Sequence, residues 1–219
     1  MKKNIIRKIL IRKETGFTIV ESLVAIFILI LSITGPMSFT QSGLRAAFVS
    51  RDQITAFYLA QDAIEYIKNV RDNNAVAVLS SSSGGGNWLD KLDLCFVSNT
   101  DGSGCSVDTD TDSSSAFSSC SSPGDGCLAD DPNNDKPLKK ISVGGGYFLG
   151  TSDNSNIGNS IGDSIFSREI KMIKIDPDAN GNTDEVEINV FIRWNTNETT
   201  GNRQIVVKEY IYNWATAGL

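Results

Sequence analysis

The chain starts basic, runs apolar, turns amphipathic and ends in strict alternation. From Ser22 to Leu44, 23 consecutive positions carry no charge and are mostly Leu, Ile, Val, Ala, Phe, Ser and Thr. About 20 apolar residues suffice for a helix to cross a bilayer, so this stretch predicts a membrane-spanning helix. Beyond it, Ile54, Phe57, Ala60, Ile64 and Ile67 recur at helical spacing, with Asp62, Glu65, Lys68 and Arg71 on the other faces. This predicts an amphipathic continuation to about Val70 that offers an apolar stripe to a sheet. Arg45, Arg51 and Asp52 lie just past the span, where water or headgroups begin. Gly35-Pro36 interrupts it: proline removes one backbone hydrogen bond and glycine weakens the turn, which leaves a kink and a local melt both open.

Residues 80–135 are rich in Ser, Gly, Asp and Asn with little periodicity, and Ser80 to Gly86 reads as a flexible linker. Only Trp88 to Val97 predicts a strand or short helix there. As surface, the region is a candidate for display, with a passive insertion as the alternative. In the last third, Val186, Ile188, Val190, Ile192 and Trp194 alternate with Glu187, Asn189, Phe191, Arg193 and Asn195, the period of a strand. Ile165 to Ile175 and Arg203 to Trp214 are β-rich flanks with less clean alternation, consistent with bulges or burial on both faces. Turn signals separate the three, and Tyr147-Phe148-Leu149 predicts a further strand. The fold class is therefore α+β: a long amino-terminal helix whose outer half packs on an antiparallel sheet.

Charge is unevenly placed. Residues 1–16 hold six bases (Lys2, Lys3, Arg7, Lys8, Arg12, Lys13) and one acid (Glu14), net +5; the other 14 bases and 25 acids leave the remainder at −11. An acidic bulk disfavours nucleic-acid binding, which needs clustered Lys and Arg. A basic start beside an apolar span predicts a cytoplasmic amino terminus. Histidine is absent, so no Ser-His-Asp or Cys-His mechanism can be assembled.

The four cysteines, Cys95, Cys105, Cys120 and Cys127, fall in the loop region. An even number clustered in an exported segment predicts two disulfides. Three connectivities are open; adjacent pairing (Cys95–Cys105, Cys120–Cys127) closes the shortest loops. A zinc site is the competing arrangement, although no C-x-x-C pair occurs.

Glu21 is the anomaly, because it lies just inside the apolar run. A carboxylate at a bilayer centre costs about 2.5–3.5 kcal/mol and usually has a partner; near the face it can reach the interface instead. A secretory signal peptide would end the run at a small-residue cleavage site, whereas here the run flows into a helical pattern. The segment Gly16-Phe17-Thr18-Ile19-Val20-Glu21, after a short basic leader and before the span, resembles the class III signal of type IV prepilins and pseudopilins. Ile19 stands where Leu is commoner. The resemblance implies a pilin-like fold and cleavage by prepilin peptidase between Gly16 and Phe17. It also implies N-methylation of Phe17 and an assembly role for Glu21, fifth in the mature chain.

On that resemblance, 1–16 is a cleaved leader, 17–44 the transmembrane and filament-core helix, and 45–79 its amphipathic continuation. Residues 80–140 form the disulfide loop region and 141–219 the sheet domain. The implied function is a structural, non-enzymatic subunit of a type IV pilus-like filament, more minor pilin than shaft subunit. The implied partners are other pilin subunits, prepilin peptidase, an inner-membrane assembly platform and membrane lipid; the acidic balance disfavours nucleic acid binding by this subunit alone. The implied location is a single-pass inner membrane protein that passes into a cell-surface filament. The alternatives are a pseudopilin of a type II secretion system and a membrane-anchored adhesive module displaying the cysteine loop.

No cofactor is required by this reading. Asp176, Asp178, Asn180, Gly181 and Glu187 fit the D-x-[DN]-x-[DN]-G-x5-E calcium-loop pattern, making Asp176, Asp178, Asn180 and Glu187 candidate calcium ligands. Strands rather than helices flank the pattern, which equally describes an acidic hairpin turn. Asp108, Asp110 and Asp112 begin a similar pattern without its end. Neither Gly84-Gly85-Gly86 nor Gly144-Gly145-Gly146 opens a P-loop, and Asn197-Glu198-Thr199 is a glycosylation sequon that the prepilin resemblance makes coincidental.

Overall fold

A computed structural model describes residues 16–80, 87–99, 102–109, 116–120, 127–129, 134–151, 159–175, 183–195 and 202–214. The chain forms two compact units, Met1–Arg51 and Asp52–Leu219. One helix, α1 (Ile19–Ser80), contributes to both and continues through Gly35 and Pro36 without a break in its assignment. It ends at Ser80, ten residues past Val70, where the apolar periodicity fades, and one past the 45–79 continuation.

In the second unit, α1 packs on a five-stranded antiparallel sheet. The strands are β1 (Cys105–Val107), β2 (Phe117–Ser119), β6 (Phe166–Ile175), β7 (Glu185–Asn195) and β8 (Asn202–Tyr212), in the order β2-β1-β6-β7-β8. A smaller sheet orders β3 (Lys139–Val143), β4 (Gly146–Gly150) and β5 (Asn159–Asp163) as β4-β3-β5. The β6-β7-β8 meander and the strand around Tyr147–Leu149 follow the sequence pattern. Both meander registers run without a bulge. The weak alternation of β6 instead reflects burial on both faces over Phe166–Ile170. The β3–β4 hairpin turns on Gly144 and Gly145, at φ +54° and +93°; two consecutive left-handed residues are the demand of a type I′ turn, which glycine meets without strain.

The stripe of α1 that meets the sheet matches the predicted one in part: Ala60, Ile64 and Ile67 are buried as expected. Ala56, Leu59, Ala60, Ala63, Ile64, Ile67 and Val70 are buried, while Ile54 and Phe57 are 55% and 52% exposed. The helix shares this core with β6 and β7, whose Ile170, Met172, Val186, Ile188, Val190 and Ile192 are fully buried in it. The loop region also does more than expected. Trp88, Leu89, Leu92 and Cys95 join that core through a turn and a 3-10 turn at Asp93–Cys95, and β1 and β2 add Val107 and Phe117. These two short strands had no periodic signal, and they correct the expectation of order only at Trp88–Val97.

Candidate functional site

In the first unit, Gly16, Phe17 and Thr18 precede the helix, and Phe17 is 78% exposed. Thr18 is the N-cap: its Oγ1 accepts the backbone N–H of Glu21 at 3.2 Å, and its carbonyl accepts the Ser22 N–H at 3.1 Å. Thr18-Ile19-Val20-Glu21 is thus a capping-box sequence with its glutamate at N3. A carboxylate in the first turn is also favoured by the helix dipole. The position of Glu21 therefore has a local cause beside any role between subunits, which the motif alone did not reveal.

From Ile19 the helix is apolar on every side. Leu23, Ile26, Phe27, Leu29 and Leu31 are all more than half exposed, and none of the most apolar 18-residue window is buried within the protein. A helix that is hydrophobic all round needs lipid or other helices as its solvent. This one is long and apolar enough to be a single membrane span. Its hydroxyls suit that environment. Ser32 Oγ donates to the Leu29 carbonyl at 2.8 Å, Thr34 Oγ1 to Ile30 at 2.6 Å, Thr40 Oγ1 to Pro36 at 2.8 Å and Ser42 Oγ to Ser38 at 3.1 Å. Hydrocarbon supplies no partners, so polar groups there have to be satisfied within the helix.

In the second unit, the cysteines form two bridges with the adjacent connectivity, Cys95–Cys105 and Cys120–Cys127. The first is fully buried and ties the 3-10 turn to β1. Around the second, Arg193 on β7 donates to the Ala129 carbonyl and to Asp135 Oδ1, each at 2.9 Å, so the chain after Cys127 is held on the sheet. Glu169 on β6 accepts the Gly104 N–H at 2.8 Å, just before β1. Burial pushes its carboxyl above the usual range, against the opposing pull of the Gly104 hydrogen bond and of Lys171.

Of the candidate calcium ligands, Asp176, Asp178 and Asn180 lie outside the described residues. Glu187 is on β7, and both its carboxylate oxygens are engaged. Oε1 accepts from Lys208 Nζ and Asn189 Nδ2 at 2.8 Å each, and Oε2 accepts from the Tyr210 hydroxyl at 2.9 Å. These bonds, that from Lys208 foremost, hold its pKa down at about 2. A cation binding here has to displace an ammonium already in place. Among the described residues no three acidic or cysteine side chains gather as a metal site. Asp108 is buried at the end of β1, while Asp110 and Asp112 are outside the described residues, as are Gly84–Gly86 and the sequon at Asn197.

The residue that sequence reasoning missed is Arg168, fully buried on β6. Its Nη1 donates to the Leu59 carbonyl at 2.9 Å and to Asp62 Oδ2 at 3.1 Å, and its Nη2 donates to the Val107 carbonyl at 2.9 Å. Its only sequence signal is a charge at an inward-facing position of a β-rich segment.

Comparison with protein-family models, with curated proteins and with solved structures finds no match for this chain.

Proposed function

We propose that this chain is a structural subunit, of the minor-pilin kind, of a type IV pilus-like filament, cleaved by prepilin peptidase after Gly16 and N-methylated on Phe17. The observation that carries the reading is the junction at Gly16–Glu21. A glycine outside the helix and an exposed phenylalanine lead directly into an apolar helix that, among the described residues, nothing covers. The basic leader stays on the cytoplasmic side of the membrane, and the acidic second unit is exported.

Cutting after Gly16 leaves a cationic amine on Phe17, and methylation keeps that charge. In a packed filament Glu21 of one subunit neutralises the amine of a neighbour. Deleting one partner of a buried ion pair costs about 3–5 kcal/mol, so a subunit in the wrong register is penalised. The uncovered helix buries its apolar surface first in lipid and then among the helices of other subunits. The disulfide loop region is the candidate for what such a filament displays.

Mass spectrometry of the protein taken from its native membrane tests this. A mature chain beginning at methylated Phe17 is expected. An intact Met1, or a terminus near Gly35, rules the reading out.

A further inference from the structure

Asn189 lies mid-strand on β7, on the sheet face opposite to core-facing Ile188 and Val190. It pairs directly with Lys171 of β6 on one side and with Lys208 of β8 on the other. Its side chain is fully buried. The amide Nδ2 donates to Glu187 Oε1 at 2.8 Å, while Oδ1 is buried and accepts no hydrogen bond among the described residues. A buried amide satisfied at one end only calls for a reason.

Each lysine has its own glutamate, and the two pairs differ in chemistry. Lys208 Nζ is bonded to Glu187 Oε1 at 2.8 Å and its side chain is 56% exposed. Water and a firmly ionised carboxylate keep that group an ammonium, which is no nucleophile. Lys171 is enclosed instead. Its Nζ is 3.6 Å from Glu169 Oε1, with the two side chains 14% and 6% exposed. The Phe191 ring adds an apolar wall, its centre 5.3 Å from Nζ. Burial strengthens the hold of Glu169 on a proton. A proton passed to it from Nζ leaves an uncharged amine, the form that attacks a carbonyl carbon. Directly opposed residues of an antiparallel pair have Cβ atoms about 5 Å apart, a gap that a lysine side chain spans.

We propose that Lys171 and Asn189 become joined by a side-chain amide bond between β6 and β7, with Glu169 as the proton carrier. Nζ of the neutral lysine forms a bond to Cγ of Asn189. A further proton of that amine passes by way of Glu169 to Nδ2, the Cγ–Nδ2 bond breaks and ammonia leaves. One proton stays on the new amide, the rest depart as ammonium, and Glu169 ends as the carboxylate it began. No oxidant, reductant or further reactant enters. Glu187, already bonded to Nδ2, is placed to receive the ammonium. The bond requires neither a membrane nor any processing at residue 17.

Tandem mass spectrometry of the full chain tests it, after purification in detergent, denaturation, reduction and digestion with trypsin. An acylated Lys171 resists cleavage. The expected product is therefore Glu169–Lys174 branched to Ile175–Arg193, lighter than the two peptides together by the mass of one ammonia. Lys171→Arg and Glu169→Gln are each expected to lose this product, and Lys208→Arg to keep it. Complete cleavage after Lys171 in the parent overturns the proposal, whether or not the variants fold. So does a branch at Lys208, or a branch at Lys171 that survives Glu169→Gln.

Discussion

The guanidinium of Arg168, on β6, donates a hydrogen bond to the main-chain carbonyl of Leu59 in α1, at 2.9 Å. A second bond to Val107 reaches β1, so one side chain joins helix, central strand and short strand. Arg168→Ala leaves a cavity and two buried carbonyls without this donor, and is expected to cost about 3 kcal/mol. Arg168→Lys, too short to reach both carbonyls, should fall in between. Urea denaturation followed by tryptophan fluorescence measures both; a loss below about 1 kcal/mol for the alanine variant would show that the bonds are dispensable.

Glu187 gives the fold an acid limit. Its pKa is lowered from 4.5 to about 2 in the folded protein, chiefly by Lys208 and then by Asn189 and Tyr210. The folded state therefore binds this proton less readily than the unfolded chain. The stabilisation is fully present above about pH 4.5 and is lost as the pH falls through about 2. Melting temperatures between pH 6 and 2 should fall less steeply for Glu187→Gln than for the parent. Parallel curves would assign the acid sensitivity elsewhere.

Gly104 meets β6 at a close approach, and a Cβ there would overlap the carbonyl oxygen of Ile170. Gly104→Ala must push β1 away from β6, at about 1–3 kcal/mol, and weaken the hold of Glu169 on this turn. Hydrogen exchange at the amides of residues 104–107 should quicken, while β7 stays protected.

The two disulfides should open in order. Cys95 and Cys105 are both fully buried, whereas Cys120 is partly exposed. Limited reduction followed by alkylation and mass mapping is expected to label Cys120 and Cys127 first. Loss of the buried bridge should then cost about 2–4 kcal/mol. Simultaneous labelling of all four would mean that the sheet protects neither bridge.

Glu21 can be tested for charge apart from capping. Glutamine also serves at N3 of a capping box, so Glu21→Gln keeps the helix start and removes the carboxylate. If neutralising a neighbour's amine is the requirement, Glu21→Gln and Glu21→Ala are both cleaved after Gly16 yet stay out of filaments. Thr18→Ala, which removes the cap at about 1 kcal/mol, still enters. Incorporation of the glutamine variant at parental levels would leave capping as the whole role.

Where the sequence was legible, the signal was periodic and long. The uncharged run from Ser22 to Leu44 and the alternation of Val186 to Trp194 each extend over enough residues for one period to dominate. β1 and β2 have three residues each, less than two full alternations, so nothing marked them. The sheet-facing stripe of α1 is legible at Ala60, Ile64 and Ile67 and fails at Ile54 and Phe57, because two stripes overlap at spacings of three and four. Ile54 and Phe57 outweigh Ala56 and Ala63 in hydropathy, yet it is the two alanines that are buried. Arg168 was hidden for a similar reason: its use depends on carbonyls supplied by distant segments, and no local pattern encodes those. At Glu21 the motif points outward to a partner, while the same four residues also encode a cap, made by the bond from the Glu21 amide to Thr18 Oγ1.

The hydroxyls of α1 have a consequence for packing. Because Ser32, Thr34, Thr40 and Ser42 donate their protons within their own helix, a helix packed beside α1 would find few hydrogen-bond donors on it over this length. On the proposed filament reading, contact along this stretch would be set by shape and dispersion alone, and the choice between one alignment and the next would fall to the single charge at its start, Glu21.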